Sequence, residues 1–343
     1  MSRDADYSIV DNASLAQRNT FRVAARARRL IEVRATRVLP DLFDSVVPQG
    51  EPLLVLGAGS NVLFTRDWPG TVLSISANVV ELLDQDDDRA LVRVEAGANW
   101  NDFVHWSLAQ GLAGLENLAL IPGTVGAAPL QNIGAYGVEL AGFVQSVHAL
   151  DCSTQASVRL SRAECRFAYR DSLFKREPGH YVIGAVDFAL PRQHALVLEY
   201  AGVREELSAM GITQPTAPDV ADAVTRLRTR KLPNPVVIGN AGSFFKNPTV
   251  GTIEAQALHV DYPDLPVWPV ADGYVKLSAA WLIEYCGFKG LREGDAAVSD
   301  QHALVLVNHG KASGAQIWAL AERVRAGVRS RFGLELEPEP RII

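Results

Sequence analysis

A glycine-rich pentapeptide, Gly-Ala-Gly-Ser-Asn at residues 57–61, follows a short apolar run and has the residue types of a phosphate-binding loop. Glycines allow the backbone to come close to a phosphate group, and the side chains of Ser60 and Asn61 add hydrogen-bond donors. The spacing is not that of the dinucleotide fingerprint G-x-G-x-x-G, because Val62 stands where the third glycine would fall. On its own, the pentapeptide is equally consistent with a tight structural turn.

A longer segment, residues 121–137, is rich in glycine and alanine, contains prolines and carries little charge. We predict a structured loop here rather than a normal helix or strand. Its small residues let backbone N–H groups line a surface for a large flat ligand, although close packing between elements would need the same composition. Two such loops in one chain fit a diphosphate-bridged dinucleotide better than either loop does alone.

Apolar patterns predict the elements that must position these loops. Asn99 is a good helix N-cap, with Asp102 three residues later, and another helix ends in cations at residues 228–231 before Pro233 and Pro235. Shifts in composition predict domain boundaries near residues 77 and 230. Strands are predicted at residues 53–56, 71–75, 91–94, 181–190 and 303–307, and helices after Asn99, from 216 to 231 and from 315 to 332.

Length and composition restrict the class of protein. The chain has 343 residues, of which 48% are hydrophobic and 21% are charged, so we expect a globular protein of two or three domains. No apolar run approaches the roughly 20 residues that cross a bilayer, and the polar N-terminus has no secretory signal, so we expect a cytoplasmic protein. A net charge of -6 argues against general nucleic-acid binding, so an anionic ligand needs cations gathered locally.

The cysteines and histidines predict no metal site. Cys152, Cys165 and Cys286 form no CxxC pair and no zinc pattern, and we expect buried, reduced thiols. The 7 histidines show no HxxxH or similar spacing.

Together with several later blocks, the glycine loops resemble the UDP-N-acetylenolpyruvoylglucosamine reductase family. The later blocks are YRDS, GNAGSFFKNP, ADGYVKL and LEPEPR, at residues 169–172, 239–248, 271–277 and 336–341, and they stand in the family's order. The resemblance implies an α+β protein. Its FAD-binding fold of the vanillyl-alcohol-oxidase (PCMH) type would have two subdomains, and a smaller α+β domain would bind the substrate.

The resemblance also implies domain limits. Subdomain 1 would span residues 1–77 and be completed by 333–343, subdomain 2 would span 78–229, and the substrate-binding domain would span 230–332. The chain is identified as a member of the long subclass, which has a tyrosine lid loop. Residues 1–18 have no assigned role, and we expect them to be partly mobile.

The family's reaction follows from the same resemblance. NADPH would reduce non-covalently bound FAD, and the reduced FAD would then transfer hydride from N5 to C3 of the enolpyruvyl group of UDP-N-acetylenolpyruvoylglucosamine. A proton must reach C2, and the product, UDP-N-acetylmuramate, serves peptidoglycan synthesis. The protein must therefore supply flavin orientation, an anion clamp and an acid.

Ser243 matches the family's proton donor. Gly242 would permit a tight turn that exposes the hydroxyl group, although a serine at this place also suits a simple turn or helix cap. A serine hydroxyl is a poor acid in water, so it needs a nearby cation or an ordered water, and Lys246 and Lys231 are the candidate cations.

Arg170 and Glu339 match the other catalytic positions of the family. Arg170 would hold the substrate carboxylate, although on sequence alone it also suits a salt bridge with Asp171. Glu339 would lie across that carboxylate from the arginine, with Glu337 as the fallback. Pro340 stands where valine is common in the family, which makes the placement of Glu339 less secure.

Further positions match the family's binding residues, with two departures: Trp268 replaces a tyrosine and His302 replaces a glutamine. The implied FAD contacts are Gly57, Gly59, Ser60, Asn61, Ile121, Pro122, Gly123, Thr124, Gly126, Ala127, Ile133, Gly134, Gly137 and Ile183. The implied substrate contacts are Tyr169, Tyr200, Arg228, Lys231, Asn247, Trp268 and Lys289.

Two alternatives stay open. Another FAD oxidoreductase of the same fold, such as a sugar or alcohol oxidase, would react with oxygen instead of coupling NADPH oxidation to the enolpyruvyl sugar. A non-catalytic nucleotide-sugar-binding relative would be expected to lose Ser243, Arg170 or the C-terminal acid first. We expect a small-molecule ligand, a monomer, no nucleic acid and no membrane insertion.

Overall fold

The computed structural model describes residues 6–48, 50–200, 202–270 and 272–343. By their contacts the residues fall into two units. Unit 1 comprises Met1–Ala13, Ala27–Ala58 and Pro69–Thr229, and unit 2 comprises Ser14–Arg26, Gly59–Trp68 and Arg230–Ile343. Unit 2 groups residues 333–343 with 230–332, whereas the resemblance assigns 333–343 to the first subdomain, and the division into three domains stays a prediction.

Every strand and helix predicted from the apolar patterns has a counterpart in the structure. The strands are β1 (Tyr7–Ser14), β2 (Arg26–Val33), β3 (Leu53–Val55), β4 (Val62–Leu63), β5 (Trp68–Ile75), β6 (Val80–Gln85), β7 (Arg89–Glu95), β8 (Gly134–Ala135), β9 (Val138–Glu139), β10 (Val144–Asp151), β11 (Ser157–Ser161), β12 (Tyr181–Pro191), β13 (Gly239–Ser243), β14 (Thr249–Gly251), β15 (Val267–Pro269), β16 (Tyr274–Leu277), β17 (Arg292–Glu293), β18 (Ala296–Val298), β19 (Val305–Asn308) and β20 (Arg341–Ile342). The α-helices are α1 (Leu39–Ser45), α2 (Trp100–Ala109), α3 (Leu173–Arg176), α4 (Val203–Ala209), α5 (Ala217–Lys231), α6 (Thr252–Asp261), α7 (Ala279–Tyr285) and α8 (Gly314–Phe332). Among the described residues, no helix is long and apolar enough to cross a membrane.

A four-stranded sheet in the order β1-β2-β5-β3 packs against helix α1, and Ile31, Leu42 and Leu73 belong to the core between them. Strand β3 pairs with β5 in parallel. Strand β1 belongs to the N-terminal stretch that we expected to be partly mobile, so residues 7–14 have a structural role at the edge of this sheet. Residues 1–5 of that stretch lie outside the described residues.

A five-stranded antiparallel sheet in the order β11-β10-β12-β7-β6 forms the larger core of unit 1. Side chains that alternate along a strand face this core, and Val92 and Phe188 are fully buried there. Helix α2 packs on the same face, with the rings of Phe103 and Phe188 4.9 Å apart. The helix begins as predicted, because the side chain of Asn99 accepts a hydrogen bond from the backbone amide of Asp102.

Helix α5 carries the chain from unit 1 into unit 2, whose last segment starts at Arg230. Its apolar stripe includes Val220, Val224 and Leu227, all buried as the pattern predicted. The cations at the end of this helix are therefore held on a well-anchored element.

Unit 2 contains a four-stranded sheet in the order β13-β19-β18-β17, a three-stranded sheet in the order β14-β16-β15, and a parallel pair formed by β20 and β4. Helix α8 buries Ile317 and Leu320. Ser313 and Gln316 form a capping box at its start, and Gly333, with φ of +71°, ends it. These sheets and helix α8 support the strand that carries Ser243.

The segment at residues 121–137 is more regular than expected. Val125–Gln131 form a 3₁₀ helix with Pro129 inside it, and the short strand β8 follows. Such a helix uses i→i+3 hydrogen bonds in short runs, so glycine and proline, which disfavour an α-helix, are accommodated. The helix ends at Asn132, whose φ of +44° lies in the left-handed region. The segment therefore contains no α-helix, as predicted, and its regular structure is limited to this 3₁₀ helix and the two residues of β8.

Candidate functional site

The predicted site residues divide between the two units. Unit 1 contains Gly57, the second glycine loop, Tyr169, Arg170, Ile183, Tyr200 and Arg228, and unit 2 contains Gly59, Ser60, Asn61, Lys231, Ser243, Asn247, Trp268, Lys289 and Glu339. Each group is therefore described within its own unit.

The two glycine loops meet in unit 1. A side chain at Gly57 would place its Cβ atom 2.6 Å from the Oγ1 atom of Thr124 and 3.2 Å from the Cβ atom of Ala127. Only glycine allows this approach without a shift of its neighbours. Packing alone explains the glycine, and the same contact sets the two loops side by side as one surface.

Backbone amides hold the second loop in place. The amides of Val125 and Gly126 donate to the carbonyls of Ala98 and Ala96, each at 2.9 Å. A Cβ atom on Gly126 would lie 2.4 Å from the Cβ atom of Ala96. The composition had suggested that backbone N–H groups of this loop line a ligand surface. At Val125 and Gly126 the N–H groups instead hold the loop in place.

A tight turn in unit 2 requires a glycine at position 59. Its φ is +65°, and a Cβ atom there would lie 2.0 Å from the backbone oxygen of Arg18. The tight-turn interpretation of the pentapeptide therefore holds at Gly59.

Arg170 lies in a tight turn of unit 1. Ala168 and Asp171 exchange backbone hydrogen bonds of 3.0 and 3.1 Å, and Arg170 between them has φ of +53°. The carboxylate of Asp171 lies 3.5 Å from Nε of Arg176. Asp171 thus forms an ion pair with Arg176.

This turn is attached to the second glycine loop by three side chains. Nη2 of Arg170 donates to the carbonyl of Gly134 at 2.6 Å. Nδ2 of Asn132 donates to the carbonyl of Ala168 at 3.1 Å, and the hydroxyl of Ser172 donates to that of Leu130 at 2.7 Å. The guanidinium group of Arg170 is therefore positioned against the loop predicted to bind the cofactor.

A second arginine of unit 1 lies near Arg170. Burial lowers the pKa of Arg228, the nearby Tyr136 hydroxyl opposes this change, and the charge of Arg170 lowers the pKa further. Burial raises the pKa of Tyr136, whose ring centroid is 5.3 Å from that of Tyr200. Like charges in one half-buried region repel each other, so this region of unit 1 suits an anion.

Ser243, in unit 2, follows a β-bulge. Strand β13 pairs with β19, and the register shifts between Asn240 and Ser243, which is opposite Val305. Gly242 has φ of +69°, and its amide donates to Oδ1 of Asn240 at 2.9 Å. The glycine-dependent turn predicted before Ser243 is therefore this bulge, and the serine is half-buried.

The C-terminal tail runs beside this bulge within unit 2. The amide of Glu339 donates to the carbonyl of Phe244, the residue after Ser243, at 2.8 Å. The amide of Arg341 donates to the carbonyl of Asn61 at 3.0 Å, and Nδ2 of Asn61 donates to the carbonyl of Glu339 at 3.2 Å. Asn61, Ser243 and Glu339, which are far apart in the sequence, therefore lie on neighbouring backbone segments.

Pro340 leaves this pairing intact. The amides of Glu339, Arg341 and Ile343 donate to Phe244, Asn61 and Leu63, respectively. Donors alternate along an extended segment, and here residues 339, 341 and 343 donate. Pro340 therefore occupies a position from which no N–H group is donated. The departure at residue 340 therefore does not displace Glu339.

The fallback acid, Glu337, has a different environment. Its carboxylate forms an ion pair with the ammonium group of Lys246, and its side chain is 68% exposed. Glu339 is half-buried. Since Lys246 is engaged with Glu337, it is a weaker candidate than the sequence suggested for assisting Ser243.

A cationic cluster in unit 2 surrounds His302. Nδ1 of His302 accepts a hydrogen bond from the amide of Leu304 at 3.2 Å. Burial lowers the pKa of His302, and the charges of Lys231 and Lys289 lower it further, against the opposing effect of Glu284. Sequence reasoning noted His302 only as a replacement for glutamine and did not place it with the two lysines.

Other predicted contacts have structural partners of their own. Oδ1 of Asn247 accepts a hydrogen bond from the amide of Ala279 at the start of α7. Trp268 pairs with Lys276 between β15 and β16, and Ile183 is buried in β12 opposite Ala149. Their predicted roles in ligand binding stay predictions.

Comparisons with known proteins cover up to 98% of the chain. The family model for an FAD binding domain matches residues 29–159, and that for the UDP-N-acetylenolpyruvoylglucosamine reductase C-terminal domain matches residues 234–343. The UDP-N-acetylenolpyruvoylglucosamine reductase of Xanthomonas campestris pv. campestris (strain 8004) is 53% identical over 338 residues, covering 98% of this chain and 97% of the relative. The enzyme of that name from Xylella fastidiosa (strain M12) is 53% identical over 339 residues, with the same coverage.

A solved structure of a UDP-N-acetylenolpyruvylglucosamine reductase, from Thermus caldophilus, has the same fold. It is 24% identical, and it aligns with a TM-score of 0.67 over 98% of both chains. The structural match and the FAD-binding family model confirm the predicted α+β fold with an FAD-binding part.

Proposed function

Because this chain belongs to the UDP-N-acetylenolpyruvoylglucosamine reductase family, we propose that it uses FAD and NADPH to reduce the enolpyruvyl group of UDP-N-acetylenolpyruvoylglucosamine. The product would be UDP-N-acetylmuramate, for peptidoglycan synthesis. The observation that carries this proposal is 53% identity along 98% of the chain to relatives of that name. The placement of Glu339 beside the bulge of Ser243 supports it further.

The glycine loops of unit 1 suit FAD. The close approach of Gly57 to Thr124 brings the two glycine loops together, as a dinucleotide with two phosphates and a flat ring system would require. Gly57, Thr124 and Ala127 would hold the cofactor, together with the donors Ser60 and Asn61. When bound, FAD supplies the hydride chemistry between NADPH and the enolpyruvyl carbon.

Ser243 would hold the proton that ends on C2 of the substrate. A serine hydroxyl needs electrostatic help to act as an acid at neutral pH. The bulge at Gly242 turns the chain just before this hydroxyl, and the bond from Glu339 to Phe244 ties the acidic tail to the next residue. This arrangement favours Glu339 over Glu337 as the carboxyl group of the site.

Arg170 would hold the substrate carboxylate. A guanidinium group carries five N–H donors, so Arg170 can keep its bond to Gly134 while it binds a carboxylate. Arg228 adds positive charge to the same region of unit 1. In unit 2, Lys231 suits the diphosphate of the nucleotide sugar, whereas Lys289 forms an ion pair with Glu284 at 3.1 Å and is the weaker candidate of the two.

Anaerobic stopped-flow absorbance tests the proposal. The purified protein should be yellow, and NADPH should bleach the flavin absorbance, which should return when UDP-N-acetylenolpyruvoylglucosamine is added. Ser243→Ala should leave the first step nearly unchanged and slow the second by at least about 100-fold. Ser330→Ala, at an exposed position of α8, is the matched control and should behave as the wild type.

Two results would count against the proposal. If flavin absorbance returns with oxygen but not with the enolpyruvyl sugar, the chain is an oxidase of related fold. If Ser243→Ala completes the second step at the normal rate, the acid is another group.

The remaining expectations are a monomeric state and a cytoplasmic location, where NADPH and nucleotide sugars are made. Of the thiols expected to be buried, Cys165 is buried, whereas Cys152 and Cys286 are half-buried. Sedimentation of the FAD-loaded protein should give the mass of one chain, and a dimer mass would reject the first expectation.

A further inference from the structure

Asn117 connects two segments of unit 1 that the sequence treats separately. Its side chain is fully buried, in the 3₁₀ helix Glu116–Leu118. Nδ2 of Asn117 donates to the carbonyl of Tyr136, in the second glycine loop, at 2.9 Å. It also donates to the carbonyl of Val197 at 2.8 Å. Val197 belongs to the irregular segment 192–200 that ends in Tyr200.

Apart from these two bonds, the buried position of Asn117 is unfavourable for a polar side-chain amide. Leu115 and Leu118, two residues before it and one after it, are fully buried, and so is Glu116, whose carboxylate accepts the amide of Gly114 at 2.6 Å. Oδ1 of Asn117 is buried and has no hydrogen-bond partner within the described part of the chain. A buried acceptor without a donor is destabilising, and an apolar side chain of similar volume would avoid that loss. The advantage of asparagine here is therefore its pair of donated bonds.

Both carbonyls belong to backbone without regular pairing. Tyr136 has φ of +48°, and segment 192–200 contains neither helix nor strand. A Cβ atom at Gly137 would lie 3.0 Å from Cγ1 of Val197, so the segment also packs on the glycine loop. The Tyr200 side chain is 51% exposed, and its ring contacts that of Tyr136. The bonds from Asn117 thus fix the backbone on both sides of this ring contact.

We propose that Asn117 is a positioning residue that holds segment 192–200 against the second glycine loop and so sets the place of Tyr200. It would act on affinity for the nucleotide sugar without touching that ligand. The part concerning the substrate rests on the proposed function, whereas the anchoring of segment 192–200 does not.

Hydrogen–deuterium exchange of the FAD-loaded protein, without substrate, tests the anchoring. Asn117→Leu removes both donors and keeps the volume, and it should raise exchange in residues 192–200 by about tenfold or more. Exchange in the five-stranded sheet should stay as in the wild type. If Asn117→Leu does not fold, Asn117→Ser, which can donate only one bond, should raise exchange by a smaller factor. Unchanged exchange in residues 192–200 in a folded variant would overturn the inference.

A double-mutant cycle tests the effect on substrate. Asn117→Leu should raise KM for the enolpyruvyl sugar about tenfold, with a much smaller change in the rate of flavin reduction by NADPH. In a Tyr200→Ala background, Asn117→Leu should add little to KM, because it acts through Tyr200. A full additional increase would reject the action through Tyr200. Failure of the wild type to turn over the sugar would reject the proposed function, and the exchange result would still stand.

Discussion

Asn61 donates its side-chain amide to the carbonyl of Glu339 and accepts the amide of Arg341 with its own carbonyl. The residue that ends the first glycine loop therefore also holds the C-terminal segment that carries the candidate acid. We therefore expect a substitution at Asn61 to affect the placement of Glu339 as well as cofactor binding.

Asn61→Ala should cost about 1 kcal/mol of unfolding free energy, because it removes one half-buried hydrogen bond. It should also slow the second half-reaction about tenfold, since the tail is less well placed. Stopped-flow rates normalised to FAD content separate this effect from lost cofactor. Gln256→Ala, on the exposed side of α6, is the control. A normal rate in the FAD-loaded variant would show that Asn61 does not position Glu339.

Gly57→Ala should weaken FAD binding, because the added Cβ atom would lie 2.6 Å from Oγ1 of Thr124. Overpacking of this kind costs about 1–3 kcal/mol. The measurement is FAD absorbance released on denaturation, per mole of protein. Gly142→Ala, with no atom within 4 Å of its Cβ, is the control and should be neutral. Full FAD content in Gly57→Ala would mean that the loops separate without effect on the site.

Asp187→Asn should destabilise unit 1. The fully buried carboxylate accepts bonds from Arg93 at 2.7 and 3.1 Å, and lies 2.7 Å from Nε2 of His148. Losing the charge leaves Arg93 unpaired, at a cost of about 2–3 kcal/mol, because Arg93 is itself 35% exposed. Denaturant unfolding measures the loss, with Asp222→Asn, at an exposed position of α5, as the control. A loss below about 0.5 kcal/mol would contradict a structural role for this carboxylate.

The same carboxylate predicts sensitivity to acid. Burial by itself would raise the pKa of Asp187, but hydrogen bonds from His148 and Arg93 outweigh burial and hold its pKa well below the ordinary value of 3.8. A group with a lowered pKa contributes stability above its ordinary pKa, and this contribution falls as the pH falls towards the folded-state pKa. The advantage of wild type over Asp187→Asn in unfolding free energy should therefore shrink below about pH 4. An advantage that does not change between about pH 5 and pH 3 would argue against this account.

The environment of His302 predicts a second effect of pH on stability, which follows from the lowered pKa of this histidine. Burial and the charges of Lys231 and Lys289 lower its pKa from 6.5, and Nδ1 can accept the amide of Leu304 only while it carries no proton. As the pH falls past about 6.5, the unfolded chain binds a proton first, so the folded protein loses stability. The Tm of the wild type should therefore fall relative to that of His302→Gln between about pH 7.5 and pH 5.5. Parallel Tm curves would show that His302 is not perturbed.

Local sequence patterns predicted the strands and helices well, because burial of alternate or helically spaced apolar residues depends on neighbours in the chain. The N-cap at Asn99 is one example, since donor and acceptor are three residues apart. The 3₁₀ helix at Val125–Gln131 was missed because its glycine, alanine and proline residues also suit an irregular loop.

The sequence patterns could not predict contacts between residues that are far apart in the chain. Nothing local indicates that Gly57 meets Thr124, or that the amide of Glu339 pairs with Phe244. Asn117 gave no signal in the sequence analysis, because an amide beside Glu116 also suits an exposed loop. The roles of Ser243, Arg170 and Glu339 follow from resemblance, and their convergence on one substrate stays a prediction.

Pro340 has a consequence beyond leaving the tail ladder unbroken. The residue is buried, and the tail donates the amides of Glu339, Arg341 and Ile343, so the N–H group that proline lacks costs none of these bonds. The pyrrolidine ring also limits the conformations of the unfolded tail, which lowers the entropy lost when the strand forms. The proline therefore stabilises the folded state of the tail that bears Glu339 by restricting its unfolded state.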